Sequence, residues 1–152
     1  MASPITVIAV GRLGRGPEAE LCASYAKRIA WPMDIIEIDD RKAPAAKRKV
    51  WEAAQILNAC PRDAHIILLD ERGRAVTSPQ LARLIGAKRE AGEALAFIIG
   101  GADGVDEAVR VRAGEAIAFG GMTWPHKLAR AMLMEQLYRA GTILTGHPYH
   151  RS

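Results

Sequence analysis

The stretch that decides the fold lies at the C-terminal end and reads TWPHKLARAMLMEQLYRAGTILTGHPYHRS, from Thr123 to Ser152. Pro125 suits the first turn of a helix, because the N–H that proline lacks would have no partner there. Beyond it, apolar residues recur at steps of three and four, which predicts a helix with one buried face that contains a single carboxylate. This predicted face comprises Leu128, Ala131, Met132, Glu135 and Tyr138. We therefore expect a long helix that packs against the rest of the protein.

The residues after Gly146, numbers 147–152, form a short tail that no hydrophobic core requires. Pro148 excludes a simple continuation of the helix, and most of the other tail residues are polar, aromatic or basic. A chain end of this kind is normally frayed unless it binds something. The tail is therefore a candidate functional segment.

Upstream of this region, apolar runs of strand length alternate with longer helical patterns, which predicts an α/β fold with a mostly parallel sheet. The predicted strands are Ile5–Val10, Asp34–Ile38, His65–Leu69, Leu95–Ile99 and Ala116–Phe119. One helix is predicted to open at Pro17 with a buried stripe of Leu21, Tyr25 and Ile29, and a second to span Pro44–Asn58 with Val50, Ala54 and Leu57 inside. A third is predicted to begin at Ser78 and Pro79 and to bury Leu81, Leu84 and Ile85.

Three polar or glycine-bearing segments leave neighbouring strands of this predicted sheet: Asp70–Gly73, Gly100–Gly104 and Gly120–Thr123. The carboxyl ends of parallel strands meet at one edge, and ligands bind in the crevice outside them. Glycines there let backbone N–H and C=O groups approach a ligand closely. We therefore expect the three segments to share one small-molecule pocket.

Other site types have less support in the sequence. The glycines at 11, 14 and 16 follow a GxxGxG spacing that is not the dinucleotide fingerprint, and no P-loop motif is present. His147 and His150 lie three apart, but no third ligand is evident, so we expect no metal. His126 is expected to pack or hydrogen-bond at the start of the last helix. Glu135 is expected to pair with a neighbouring arginine or to reach across a subunit boundary.

Length and composition set further bounds. The 152 residues, 49% of them hydrophobic, are enough for one domain with one core. No apolar run approaches the roughly 18 residues of a membrane span, and the first residues lack the order of a signal peptide, so we expect a cytoplasmic protein. Cys22 and Cys60 form no CxxC pair, which favours two reduced, buried thiols over a disulfide or a zinc site.

The formal net charge of +4 comes from two basic clusters. The first comprises Arg41, Lys42, Lys47, Arg48 and Lys49, and the second Lys127, Arg130, Arg139 and Arg151. A basic run is most often a solvated face, yet two such clusters also fit a surface that follows RNA phosphates. The second cluster adjoins the tail, which favours RNA.

The C-terminal motifs TWPHKLARAMLMEQLYRA and HPYHR, with IILLDERG at Ile66–Gly73 and FIIGGADG at Phe97–Gly104, resemble one known family. It is the ribosomal RNA large-subunit methyltransferase H family, small enzymes of the SPOUT class. The resemblance covers nearly the whole chain and keeps the order and spacing of the motifs. It implies methylation of N3 of pseudouridine 1915 in helix 69 of 23S rRNA.

The same resemblance implies a fold and a cofactor. The fold would be a single SPOUT domain over residues 1–152, with a parallel sheet flanked by helices and a C-terminal trefoil knot, which is a rare topology. S-adenosylmethionine would bind in the knot, mostly through backbone groups. By position, its contacts would be Leu69, Gly100, Phe119, Gly120, Gly121, Met122, Thr123 and Trp124. This chain departs from the family pattern at Ala102-Asp103, where GGPEG-like members have Pro-Glu, and at Gly120-Gly121, which replaces a serine-containing turn.

For catalysis, methyl transfer to a weakly acidic imide nitrogen requires that its proton be removed or its anion stabilised. We expect Arg151 to contact a phosphate or imide oxygen, Tyr149 to stack or pack against the base, and His150 to relay the proton. The resemblance also implies a symmetric homodimer in which each tail completes its own pocket or that of the partner. Two alternatives are a non-catalytic RNA-binding domain and an enzyme of this fold that methylates another RNA; the three glycine-bearing segments argue against the first, because pure RNA binding needs no small-molecule crevice.

Overall fold

The computed structural model describes residues 3–151, which form one five-stranded parallel sheet with the strand order β2-β1-β4-β3-β5. The strands are β1 (Ile5–Val10), β2 (Met33–Ile38), β3 (His65–Ala75), β4 (Leu95–Ile99) and β5 (Glu115–Ala118). The helices are α1 (Pro17–Arg28), α2 (Arg48–Ala59), α3 (Ser78–Glu90), α4 (Glu107–Arg112) and α5 (His126–Thr145). This architecture confirms the predicted α/β fold with a parallel sheet.

Helices cover both faces of the sheet, and alternate strand residues point to the two layers. Phe97 and its neighbours on one face pack against α1, α3 and α5. On the other face Ile66, Leu68 and Ile98 pack against α2 and α4. Because both faces are buried, the central strands appear in the sequence as continuous apolar runs. This is why β1 and β4 lie where the sequence predicted them.

The C-terminal helix α5 packs between α1 and α3. Leu133, Met134 and Leu137 are fully buried, whereas Leu128 and Met132 of the predicted face are only half-buried. Because α5 contacts both α1 and α3, its buried stripe is wider than the sequence periodicity indicated and is rotated around the helix. The helix ends at Gly146, whose φ of 74° is accessible to glycine at little cost. Among residues 3–151, no helix is long and apolar enough to cross a membrane.

The predicted buried stripes of α1 and α2 are wrong in part. Leu21 is 44% exposed, and Cys22 faces the core in its place. A strict four-residue step drifts around a helix of 3.6 residues per turn, so the predicted α1 stripe leaves the core at one end. In α2, Val50 is 60% exposed and Glu52 is buried. The prediction missed this inner face because it looked for apolar residues only, and Glu52 is acidic.

Helix boundaries differ from the predictions in ways that local chemistry explains. Two 3-10 turns, Asp40–Lys42 and Ala45–Lys47, precede α2, so it begins at Arg48 and not at Pro44. Thr77, not Ser78, caps α3: its hydroxyl accepts the N–H of Gln80, and the Gln80 side chain accepts the N–H of Thr77. The six-residue helix α4 was not predicted.

Strand β3 has an irregularity that matters for the site. Leu69 and Arg74 both lie opposite Ile117 of β5, so the segment Asp70–Gly73 is extruded from the ladder. Gly73 is needed where the chain returns, since a Cβ atom there would lie 2.7 Å from the backbone carbon of Ala116. The extrusion places the polar residues of Asp70–Gly73 at the carboxyl edge of the sheet.

Candidate functional site

A cavity of about 770 Å³ opens at the carboxyl edge of β3, β4 and β5. Its walls include residues from all three segments that the sequence predicted to share a pocket. The apolar floor is formed by Leu69, Ile99, Ile117, Ala118 and Phe119. The volume lies within the range of roughly 300–1,000 Å³ that is usual for small-molecule sites. The predicted convergence of the three segments is therefore confirmed.

Backbone geometry keeps this cavity open. A Cβ atom on Gly100 would lie 2.7 Å from Cγ1 of Val105 and 3.4 Å from the Gly104 backbone, so only glycine lets the loop fold this tightly. Gly120 has a φ of 89° and no atom within 4 Å of its missing Cβ, so the space beside its backbone is open. Exposed backbone of this kind can donate to and accept from a ligand without a side chain in the way.

Two side-chain hydrogen bonds shape the segment Phe119–Trp124. The indole Nε1–H of Trp124 donates to the carbonyl oxygen of Phe119 at 3.0 Å and closes the segment into a loop. The hydroxyl of Thr123 donates to the carboxylate of Glu71, which ties this loop to the extruded segment of β3. The cavity wall is thus braced across two different strands.

Seven of the eight predicted cofactor residues line the cavity: Leu69, Gly100, Phe119, Gly120, Met122, Thr123 and Trp124. Gly121 does not line it, although nothing lies within 4 Å of its missing Cβ. His126, the first residue of α5, also lines the cavity. Its ring packs against Gly11, where a Cβ would come within 3.1 Å of the imidazole Cε1. Packing at the helix start is the role that the sequence predicted for it.

The charged residues of the cavity wall were not predicted individually. Arg110 of α4 forms an ion pair with the half-buried Asp70. Lys49, from the first turn of α2, also lines the wall and lies within 4.0 Å of no carboxylate among residues 3–151. The order of elements could have indicated the position of Lys49. Because α2 follows β2 in a parallel sheet, the first turn of α2 lies at the carboxyl edge of the sheet, where the cavity opens.

The described part of the tail, residues 147–151, does not line the cavity of its own chain; it docks on α5. The hydroxyl of Tyr149 donates to Glu135 at 2.7 Å, and Nη1 of Arg139 lies 3.0 Å from Nδ1 of His150. Arg139 also donates to Glu135 at 2.7 Å, which confirms the predicted pairing of Glu135 with a neighbouring arginine. These half-buried polar contacts hold the chain end in place, where an unbound terminus would normally fray.

This docking restricts the chemistry of two tail residues. Burial, and then the hydrogen bond to Glu135, raises the pKa of Tyr149, so its phenol stays protonated and donates. A guanidinium has no acceptor, so Nδ1 of His150 must present its lone pair to Arg139, and the ring proton of a neutral His150 is on Nε2. In this docked state, proton relay by His150 would have to use Nε2.

An aromatic ladder that the sequence did not reveal supports the tail. The rings of Tyr138 and Tyr149 meet edge to face with centroids 4.7 Å apart, and Tyr25 of α1 lies 6.2 Å beyond Tyr138. The guanidiniums of Arg28 and Arg139 lie over rings of the ladder at 4.7 to 5.1 Å. Contacts of this kind contribute about 0.5–1 kcal/mol each at exposed sites. They hold the tail through three separate segments of the chain.

The first basic cluster is partly neutralised. Arg41 pairs with Asp39 at 2.9 Å, and Arg48 lies 3.8 Å from Asp40. The Arg41 guanidinium, by hydrogen bonding, is the main cause that lowers the pKa of the Asp39 carboxyl to about 2. The remaining cations of this cluster, all lysines, form no ion pair within residues 3–151.

The second basic cluster is also less free than its sequence indicated. Arg130 is buried and pairs with Glu37 at 2.8 Å, while Arg139 is engaged by Glu135. Burial acts to raise the pKa of Glu37, but the N–H of Leu13 and the guanidinium of Arg130 lower it overall. Arg130 therefore stabilises the fold through its internal ion pair with Glu37 and does not offer its charge to RNA.

The expectations for metal and thiol sites can be compared with the described residues. No group of three or more His, Cys, Asp or Glu side chains suited to a metal occurs within residues 3–151. His147 acts locally, since its Nδ1 accepts the N–H of Tyr149 at 3.1 Å. Cys22 is buried and Cys60 half-buried, both as free thiols, and burial raises the pKa of each.

Comparison with known proteins assigns the family. A family model described as "Predicted SPOUT methyltransferase" matches residues 4–150. A protein of Dinoroseobacter shibae named ribosomal RNA large subunit methyltransferase H is 47% identical over 97% of this chain and 98% of its own length. A protein of the same name from Rhodospirillum centenum is 49% identical over 95% and 96%.

A solved structure supports the fold independently of sequence. It is that of a probable methylase family protein from Haemophilus influenzae, which matches with a TM-score of 0.60 and only 9% identity. The match covers 97% of this chain and 70% of the other. The fold likeness, the family match and the near full-length relatives agree, and this chain belongs to the SPOUT methyltransferase family.

Proposed function

We propose that the protein is an S-adenosylmethionine-dependent methyltransferase that acts on N3 of pseudouridine 1915 in helix 69 of 23S rRNA. The observation that carries the proposal is the cavity of about 770 Å³ formed by three glycine-bearing segments at one sheet edge. A pure RNA-binding domain has no need of such a cavity. The relatives named as large-subunit rRNA methyltransferases, at 47% and 49% identity, support the RNA target.

The cavity fits the cofactor in shape and in chemistry. Its apolar floor can receive an adenosyl group, and the backbone at Gly120, where nothing lies within 4 Å of the missing Cβ, offers hydrogen bonds that are insensitive to side-chain identity. Leu69 and the Phe119–Trp124 loop would complete the contacts. The substitutions in this chain's glycine loops are compatible with binding through the backbone. The trefoil knot implied by the resemblance stays a prediction.

When bound, S-adenosylmethionine supplies a methyl group on a sulfonium, which passes to N3 as the carbon–sulfur bond breaks and N3 gives up its proton. The protein's own part is to orient the base and to handle that proton. We assign Arg151, which is exposed, to a phosphate or imide oxygen, and Tyr149 to contact with the base. The Nε2 side of His150 is assigned to proton relay. Single-stranded bases in RNA are commonly held by aromatic and basic side chains of this kind.

The proposed enzyme is a twofold homodimer in which each tail completes the pocket of the partner. Two observations favour the partner's pocket over the tail's own: the tail docks on α5, and none of residues 147–151 lines the cavity of the same chain. A groove of about 450 Å³ that includes Met132 and Phe119 lies along α5 and leaves apolar surface for a second subunit. Phe119 belongs to both the groove and the cavity, so an interface at the groove would lie beside the reaction site.

Removal of residues 147–152 tests the catalytic role of the tail. The truncated protein should fold and bind S-adenosylmethionine, measured by calorimetry, while methyl transfer to ribosomes lacking the modification should collapse. Arg151→Ala should cost on the order of 1.5–3 kcal/mol in kcat/KM, the range for a hydrogen bond to a charged group. Arg62→Ala, which removes an exposed arginine from a distant turn, is the matched control.

Mixed dimers separate the two possible positions of the tail. One subunit would lack residues 147–152, and the other would keep the tail and carry Gly100→Ala, which is expected to disrupt the cavity wall and is first shown by calorimetry to bind no cofactor. If the tail serves the partner's pocket, mixing restores one complete site per dimer and activity returns. If it serves its own pocket, the mixture stays inactive.

Two outcomes would reject the proposed function itself. Absence of S-adenosylmethionine binding at millimolar concentration would leave a non-catalytic RNA-binding domain. Mass spectrometry of rRNA and tRNA nucleosides from a deletion strain would reveal a different RNA target if the rRNA modification persists and another is lost.

A further inference from the structure

Among the lysines and arginines of the cavity wall, Lys49 alone forms no ion pair within residues 3–151, whereas Arg72 and Arg110 both lie near Asp70. Arg110 is engaged by Asp70, and Glu71 accepts the hydroxyl of Thr123. Lys49 has no ion-pair partner among residues 3–151, yet its exposed side chain reaches the wall from the opening turn of α2. A cation without an internal partner at the edge of a cavity is available to an anion that enters from solvent.

The position of Lys49 is unfavourable for the helix that carries it. Lys47, Arg48 and Lys49 occupy the N-cap and the first turn of α2, with no acidic residue in that turn and no side-chain cap. Backbone N–H groups at a helix start carry partial positive charge, so cations there destabilise the helix. The helix dipole therefore does not explain a lysine at this position.

Two further free lysines precede Lys49 in the chain. Lys47 and Lys42 are exposed and unpaired in the described chain and do not line the cavity, whereas the arginines interspersed with them pair with Asp39 and Asp40. One free lysine at the cavity wall with two more outside it suits an extended polyanion. A single small anion in the cavity would need only Lys49.

We infer that Lys49 binds a phosphate of the RNA strand whose base enters the cavity, so that the strand arrives over the first turn of α2. This inference rests on the proposed function and adds the side of the pocket from which the RNA approaches. Lys49 neutralises the phosphate next to the target base, while Lys47 and Lys42 meet phosphates further along.

The competing anion is the carboxylate of the cofactor, which is itself expected in the cavity. The two assignments differ in what Lys49 changes. A phosphate contact releases counterions, so removing it lowers the slope of log K against log salt for RNA by about 0.7 to 0.9. A cofactor contact would instead change the affinity for S-adenosylmethionine and leave the RNA slope alone.

The test compares Lys49→Gln with wild type, with Lys49→Arg as the charge-keeping variant and Lys27→Ala as the control. Lys27 is an exposed lysine on α1, in the opposite layer of helices. Binding of a fluorescent helix 69 RNA hairpin is measured over a range of salt concentrations, and S-adenosylmethionine binding by calorimetry. Lys49→Gln should bind the hairpin about tenfold more weakly, with a lower salt slope and unchanged cofactor affinity.

Lys49→Arg should keep most of the affinity and the whole slope, and Lys27→Ala should match wild type. An unchanged slope in Lys49→Gln, or a loss confined to cofactor affinity, would overturn the inference. Folding does not obscure the result, because removing a cation from the helix start should leave the melting temperature equal or higher. If the target assignment is wrong, wild type will bind the hairpin no better than a scrambled one, while the slope comparison remains readable on either RNA.

Discussion

Glu135 is the acceptor on which the docked tail depends, and Glu135→Ala is the most informative single substitution. Its carboxylate accepts the Tyr149 hydroxyl at 2.7 Å, and Arg139 donates to it at 2.7 Å and 3.3 Å. Removing it frees the tail and leaves the Arg139 guanidinium without its partner under the Tyr149 ring. The core packing of α5 does not involve this side chain.

The magnitude follows from the burial of the pair. A hydrogen bond to a charged group contributes about 1.5–3 kcal/mol, and side-chain exposures of 18% and 24% for Glu135 and Arg139 favour the lower end. Loss of the Tyr149 contact alone should therefore cost about 1.5 kcal/mol, roughly a tenfold fall in the ratio of docked to free tail. The melting temperature should change little, because the tail lies outside the core.

Hydrogen exchange at the Tyr149 and His150 amides measures docking, and methyl transfer measures its consequence. We expect exchange about tenfold faster, kcat lowered by a similar factor and S-adenosylmethionine binding unchanged. Glu135→Gln keeps an oxygen acceptor for Tyr149, so its exchange rate and kcat should lie between those of wild type and Glu135→Ala. Glu90→Ala, on the exposed side of α3, is the control. Protection of the tail amides at the wild-type level in Glu135→Ala would refute the reasoning.

Two further substitutions test the cavity wall and its support. Burial is the main cause that raises the pKa of Glu52 above the 4.5 of a free glutamate. The free energy of unfolding therefore benefits from the protonated carboxyl below pH 4.5, and this contribution is lost as the pH rises through the pKa in the folded protein. Glu52→Gln should therefore raise the melting temperature at pH 7 but not at pH 4, and an equal effect at both would contradict this. Gly100→Ala should abolish cofactor binding in calorimetry while circular dichroism stays native, because its Cβ would lie 2.7 Å from Val105 and displace the cavity wall that both residues form; wild-type cofactor affinity would show that the loop adapts.

Strands and turn chemistry were readable from the sequence because they depend on local or continuous patterns. β1 and β4 lie where they were predicted, since strands buried on both faces are unbroken apolar runs. The convergence of three glycine-bearing segments was also predictable, because parallel strands present their carboxyl ends at one edge. The resemblance added the family, which the comparisons confirm.

Helix faces were less readable, because they depend on neighbours that the sequence does not order in space. The buried Glu52 in α2 broke the apolar period on its true inner face, and the exposed Val50 supplied a false one. The pairing of cations was hidden for the same reason. Arg130 and Glu37 are 93 positions apart in the chain and meet only because the fold brings α5 and β2 together at this point.

The sequence by itself determined the parallel α/β fold, the location of the cavity and the identity of the unusual tail, since each follows from periodicity, glycine placement or residue type along the chain. Only the tertiary structure decided that the tail docks on α5 through Glu135, that Arg130 is spent inside the protein, and that Lys49 stands free at the cavity wall. The physical reason is that charge pairing and side-chain docking act over a few ångströms in space, and residues that lie so close together can be far apart in the sequence.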